Sequence, residues 1–267
     1  MLKEVTLGQY YPAPSVLHEL DPRVKLFGAF MFVISLFIND SYIGYAVVVA
    51  AFFTVAFVSK VPIGYILRGI KPVWFIIFLS VVVNLFFTPG DIIVQFGRAK
   101  ITWQGVERAF FLALRISLLV LGASILTLTT TPTSLTAGLE KSLGFLRKIG
   151  VPVAEMATMI SISLRFIPIL SEEMDRIMKA QTARGVDFKR GGVFKRMLKL
   201  IPILVPLLIS AFRRAEDLAM AMDARCYFGS EGRTKLHPLK YGRKDYYGYL
   251  VILAYLVAVS AVRIFAG

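Results

Sequence analysis

The sequence predicts an all-α integral membrane protein. It has about five transmembrane helices and, between the fourth and the fifth, a cytosolic module of one short and two long helices. Three observations predict this. Hydrophobic residues fill 57% of the 267 positions, mean hydropathy is +0.68 and only 18% of residues are charged, a balance outside that of soluble globular chains. Apolar runs approaching the length of a bilayer crossing recur over residues 24–128 and again over 247–265. Charge is segregated: residues 132–245 hold 20 Lys/Arg against 11 Asp/Glu in a chain of net charge +14. The expected domains are a four-span membrane domain over 1–131, the basic helical block over 132–245 and a final transmembrane helix over 246–267.

The N-terminus has no basic-then-apolar signal stretch, because the first apolar run begins at Val24 behind Asp21-Pro22-Arg23. In that triplet Asp21 is placed to cap the first span, and Pro22 takes its first position. Arg23 and Lys25 anchor it at the cytoplasmic face, a structural use of all these residues. The spans are expected over 24–38, 42–58, 73–87, 109–128 and 247–265, the first two joined as a tight hairpin by Asn39-Asp40-Ser41. Several are shorter than the roughly 20 residues of a full crossing, and snorkelling by Arg23, Lys25, Lys60 and Lys71 extends their reach. The basic loops carrying Lys60, Arg68 and Lys71 fall on the same side as the 132–245 block, which the excess of Lys/Arg assigns to the cytoplasm. Residues 88–105 lie opposite and form an outer hairpin or interfacial segment, although Arg98 and Lys100 run against the charge rule. Arg115 falls inside the fourth span. A centred arginine costs about 2.5–3.5 kcal/mol to insert, but this one is within snorkelling reach of the outer end near Glu107.

Thr129-Thr130-Thr131 followed by Pro132 starts a short amphipathic helix that is expected to run to about Arg147 and stop at Gly150. Two long helices follow, over 152–184 and 193–225, separated by Lys189-Arg190-Gly191-Gly192. The first carries a near-heptad seam (Met156, Ile160, Ser163, Ile167, Leu170, Met174, Ile177) and the second an apolar stripe through Leu198, Ile201, Val205, Leu208 and Phe212. Pro168, Pro202 and Pro206 are expected to bend or break them. The upper part of each helix is apolar enough to lie against lipid, and the lower part is charged. Glu172-Glu173 point to different helix faces and read as solvated charges. Seven of the nine methionines lie in 151–225, as a helix core or as an adaptable surface for dissimilar partners.

Both long helices end alike, in Ala180-Gln181-Thr182-Ala183-Arg184 and Ala221-Met222-Asp223-Ala224-Arg225. A single arginine in a last turn usually serves the helix dipole. Two such ends, each with a face kept slim by alanine, read as a grip on a paired partner, since a guanidinium is a rigid fork for carboxylates or carbonyls. The chain has no phosphate-binding G-x-x-x-x-G-K-[ST], no catalytic Ser, Cys or His arrangement and no metal set, so it is read as non-catalytic. Cys226 is the only cysteine, and His18 and His237 read as surface residues. Basic composition is explained by cytoplasmic loops of a membrane protein better than by nucleic-acid binding.

Ser15-Val16-Leu17-His18-Glu19-Leu20-Asp21-Pro22-Arg23-Val24-Lys25-Leu26 resembles the N-terminal signature of the transmembrane (T) component of energy-coupling factor transporters. Leu164-Arg165-Phe166-Ile167-Pro168, running on to Ala183-Arg184-Gly185, is similar to the same family, and the likeness covers nearly the whole chain. The resemblance implies an importer of vitamins or transition metals in which two cytosolic ABC ATPases, identical or not, drive this component. It further implies a separate, possibly exchangeable small membrane (S) subunit that binds the substrate. ATP and Mg would then be held by the ATPases, and no cofactor by this chain. It implies ATPase docking through Ala183, Arg184 and Gly185 and through Ala224, Arg225 and Cys226, where Cys226 departs from the family's glycine. S-subunit contact is assigned to Met156, Met159, Met174 and Met178. The alternative, a conventional ABC permease with its own substrate path, calls for polar residues in several spans, where only Asn84 and Arg115 stand out.

Overall fold

The computed structural model describes residues 10–39, 41–96, 99–188, 192–229 and 238–266; His237, Arg98 and the Lys189–Gly191 part of the expected turn lie outside them. Its helices are α1 (Val16–Glu19), α2 (Pro22–Ile38), α3 (Tyr42–Ser59), α4 (Ile63–Leu67), α5 (Trp74–Phe87), α6 (Trp103–Thr129), α7 (Pro132–Ser142), α8 (Val153–Ala183), α9 (Val193–Asp223) and α10 (Arg243–Ala266). A hairpin of β1 (Ile92–Phe96) and β2 (Ala99–Thr102) lies between α5 and α6. The chain divides into two compact units, Gly8–Lys141 with Leu239–Gly267, and a second that contains Ser142–Pro238. These breaks fall inside the sequence-based block of 132–245, because α7 and the approach to α10 pack with the first unit.

In the first unit, local sequence sets the helix starts. Asp21 accepts the Arg23 amide with Pro22 in the first turn, the Ser41 hydroxyl accepts the Gly44 amide, and Thr102 Oγ1 accepts the Gly105 amide. The Thr131 hydroxyl accepts the Ser134 amide at 3.3 Å and so starts α7. The core runs between α2, α3 and α6 through Leu36, Tyr45, Val48, Phe52, Leu118 and Ile125. Lipid is as apolar as these side chains, so close packing and interhelical hydrogen bonds hold such helices, each bond worth about 0.6 kcal/mol on average. Gly122 leaves room for the Phe32 ring, and Tyr255 Oη meets Ser35 Oγ at 2.5 Å across α10 and α2.

Four helices are long and apolar enough to cross a membrane: Tyr42–Ser59, Trp103–Thr129, Val153–Ala183 and Arg243–Ile264. Three coincide with expected spans; the other is the long helix expected to begin against lipid and end in water. The first and third expected spans form helices of only 17 and 14 residues. The third is lengthened by tight turns, with Ile70, Lys71 and Val73 amides bonded to the carbonyls of Leu67, Arg68 and Ile70. Gly69 packs against Ser124 late in α6, whereas Gly105, early in α6, backs onto the Asn84 and Leu85 carbonyls. The path from α4 through α5 therefore runs alongside most of α6.

The unit has two chemically different ends. At the C-terminal end of α6, Lys25 Nζ donates to the His18 and Thr129 carbonyls, the Tyr11 amide donates to Leu128, and Arg68 lies over the Tyr65 ring. At the opposite end are Asn39, Tyr42, Glu107 and the β-hairpin, as the sequence placed them, with Asp40 of the expected turn outside the described residues. Arg115 belongs to this second end: Nε donates to Tyr45 Oη at 2.8 Å and Nη2 to the Asn39 carbonyl at 3.3 Å, so it ties α6 to the end of α2 and to α3.

The second unit is thinly packed. The expected single helix over 132–147 breaks after Ser142 into a 3-10 turn, Gly144–Ile149. By contrast α8 and α9 each run 31 residues without interruption through Pro168, Pro202 and Pro206, so none of the three breaks its helix. Each proline removes one hydrogen bond from a ladder that continues on both sides. Among the described residues of this unit, only Ala157 and Ile203 are buried hydrophobics.

Candidate docking site at the ends of two long helices

Both long helices finish in the same backbone motif. After α8 the Gly185 amide bonds to the Thr182 carbonyl and the Val186 amide to Gln181, with Gly185 at φ +89°. After α9 the Cys226 amide bonds to Asp223 and the Tyr227 amide to Met222, with Cys226 at φ +55°. This paired 5→2 and 6→1 pattern is the Schellman cap. Cys226 thus fills the left-handed position that glycine fills after Arg184, at a conformational cost of about 1–2 kcal/mol that the two closing bonds offset. The departure from glycine leaves the shape of the end intact. Ala183, Arg184 and Gly185, and Ala224, Arg225 and Cys226, are all exposed.

Arg214 Nη2 lies 3.9 Å from Glu173 Oε2, and Glu173 is half-buried there rather than solvated as its sequence context implied. Arg184 follows Glu173 by 11 residues and Arg225 follows Arg214 by 11, so about 16 Å of chain leads from this ion pair to each tip. The shared ending marks the tips in the sequence, whereas nothing local pairs Glu173 with Arg214.

The apolar stripe of α9 stays uncovered: Leu198, Ile201, Val205, Leu208 and Phe212 are each at least half exposed. On α8, Met156 and Met159 are exposed while Met174 and Met178 are half-buried. Met197 and Met220 are exposed as well, so four of the seven methionines of 151–225 lie outside any core of this chain.

Asp21, Pro22 and Arg23 serve the fold, in a richer way than capping alone. Arg23 donates Nε to Asp21 Oδ1 at 3.0 Å and Nη2 to Oδ2 at 2.8 Å, and its guanidinium lies 3.8 Å over the Tyr241 ring. The Asp21 amide donates to Asp245 Oδ1 at 2.7 Å. Burial alone would raise the Asp21 carboxyl, but hydrogen bonds from Arg23 and the charges of Arg23 and Lys25 hold it below its usual value. His18 is no free surface residue: it is half-buried, with Nδ1 2.6 Å from Ser15 Oγ and Nε2 2.9 Å from the Tyr11 carbonyl. The two polar residues that a substrate path would need are committed locally, since Asn84 Nδ2 donates to the Ser80 carbonyl of its own helix and Arg115 holds the end of α2.

A family model described as CbiQ, cobalt transport protein, matches residues 13–236. Proteins named energy-coupling factor transporter transmembrane protein EcfT align along almost the entire chain. That of Acidaminococcus fermentans is 45% identical over 263 residues, covering 98% of both chains. That of Heliobacterium modesticaldum is 47% identical over 264 residues, covering 99% of this chain and 97% of its own. The Bacillus subtilis protein is 43% identical over 268 residues, covering 99% of each. With its long apolar helices and its full-length bacterial relatives, the chain belongs to the EcfT family, the transmembrane components of energy-coupling factor transporters.

Proposed function

We propose that this chain is the coupling subunit of an ATP-driven importer, carrying motion from two cytosolic ABC ATPases to a separate membrane S subunit that binds a vitamin or transition-metal ion. One observation carries the reading: two exposed arginines stand on identically capped helix ends, each 11 residues beyond the Glu173–Arg214 pair that joins the helices. Each tip, Ala183-Arg184-Gly185 or Ala224-Arg225-Cys226, docks in one ATPase. When ATP closes the ATPase pair, the tips shift relative to each other and α8 and α9 pivot. Their uncovered faces, including Met156 and Met159 with the half-buried Met174 and Met178, meet the S subunit or lipid, and thioether flexibility suits partners that exchange. The chain contributes no catalytic group and binds no nucleotide itself. Basic residues gathered at one end of the membrane unit orient the N-terminus and the 132–245 segment to the cytoplasm of a bacterial plasma membrane.

The test is Arg184→Ala and Arg225→Ala, singly and together, in membranes co-expressing the ATPases and S subunit. Truncating one side of a buried charge pair costs about 2–5 kcal/mol, so each single variant weakens ATPase copurification at least about thirtyfold and the double variant abolishes uptake. Full transport by the double variant would remove the assignment.

A further inference from the structure

The chain leaves the first unit after Lys141 and re-enters it at Leu239, so the residues between are joined to it in sequence at two points. One triplet meets both: Pro22 at the exit, Asp21 and Arg23 at the return. On the way out, α7 crosses α2 so closely at Gly138 that a Cβ there would stand 2.8 Å from Pro22 Cβ. Gly138 lies three residues before Lys141. On the way back, Tyr241 takes the Arg23 guanidinium on its ring, and Asp245 accepts the Asp21 amide at 2.7 Å and the Gly242 amide at 2.7 Å. Lys244 pairs with Glu19 just outside this cluster. The Asp245 side chain is therefore shared between the start of α2 and the start of α10, and it is 5% exposed.

We infer that Asp21-Pro22-Arg23 is the anchor of the coupling module: by fixing its exit at Gly138 and its return at Tyr241–Asp245, the triplet makes α8 and α9 move as levers against a held base. Capping α2 alone requires Asp21 and Pro22. It does not require a guanidinium locked on Asp21 by two bonds and stacked on an aromatic ring some 218 positions away, which is a connection across the two ends of the module. Without that hold, a displacement at the tips would be absorbed by slack at the attachment points. These are positioning residues, distant from the nucleotide and the substrate.

The inference rests on the coupling reading above, and the two are separable by experiment. In the full-length subunit, hydrogen exchange of the amides at the start of α10 (243–248) reads the clasp directly, with no ATPase present. Arg23→Ala should raise it by about tenfold or more, and Arg23→Lys, which keeps the charge and loses the fork, by less. In the assembled transporter, Arg23→Ala should keep ATPase copurification and ATP hydrolysis within about twofold while uptake per ATP falls at least about fivefold. Gly138→Ala, which pushes on Pro22 without touching a charge, should uncouple in the same way and stands in if Arg23→Ala fails to accumulate. Unchanged exchange overturns the clasp. Uptake per ATP that holds after exchange has risen overturns the anchor, and a joint fall of assembly, hydrolysis and uptake assigns the triplet to folding alone. Should the Arg184/Arg225 variants leave ATPase assembly intact, the coupling reading falls and the exchange result still stands.

Discussion

Arg23 sits with its guanidinium on a carboxylate and an aromatic ring, 14% exposed at the side chain, at the beginning of a helix. Arg184 and Arg225 stand exposed after the last turns of α8 and α9, on backbone caps that satisfy the helix carbonyls without using their side chains. The same residue type thus has two occupations in one chain. Where the fold supplies both a carboxylate and a ring, arginine closes the fold upon itself. Where a glycine-type cap already completes the helix, the side chain stays exposed, as the proposed docking requires. The surroundings differ accordingly: the first unit has a contiguous core with buried polar contacts, while the second exposes most of its apolar stripe.

The largest expected effect separates these occupations. Arg184→Ala with Arg225→Ala should leave the melting temperature of the isolated subunit within about 2 °C, because surface side chains away from packing contribute little. Arg23→Ala should lower its stability by about 2–3 kcal/mol by stranding a buried carboxylate, as measured by unfolding in detergent. Equal losses from all three arginines would erase the distinction. Acid sharpens it next. Asp21 has a depressed folded value, so its contribution is complete above the ordinary carboxylate range and disappears as pH falls through the folded value. The stability gap between wild type and Asp21→Asn should therefore be flat from about pH 5 to 8 and close below about pH 4, whereas variants at the tips should show no such closure.

The smallest effects compare the two caps. Gly185→Ala puts a Cβ at φ +89° and should destabilise that end by about 1 kcal/mol, seen as faster exchange of amides 182–186. Cys226→Gly should act in the opposite sense by up to about 1 kcal/mol, slowing exchange over 223–227. Identical responses at both positions would mean that the caps are less alike than their hydrogen bonds.

What could be read from sequence was what is local. Asp21 and Pro22 announce a helix start because a cap acts within three residues, and the repeated Ala-Arg ending marks both tips because a helix terminus is a local event. Spans at 42–58, 109–128 and 247–265 were legible from apolar length alone. The partners were not: Asp21 and Asp245 are 224 positions apart, and nothing near either names the other. Glu173 looked solvated because its neighbours are charged, and only the pairing with Arg214 gives it a role. Of the two outcomes expected at Pro168, Pro202 and Pro206, bending or breaking, the break is excluded, since both 31-residue helices continue through them. The split of the helix expected over 132–147 had no signal in its apolar pattern, and the structure places a 3-10 turn over Gly144–Ile149.

The position of the Glu173–Arg214 meeting sets a mechanical ratio. Beyond it each helix continues for 11 residues to its arginine, and behind it for 20 residues to Val153 or 21 to Val193. On the proposed coupling, a rotation of about 10° there would displace each arginine by about 3 Å and sweep the far end of its helix through about 5 Å. Each helix is longer on the side away from its arginine, so a modest stroke at the arginine would arrive nearly doubled at the other end.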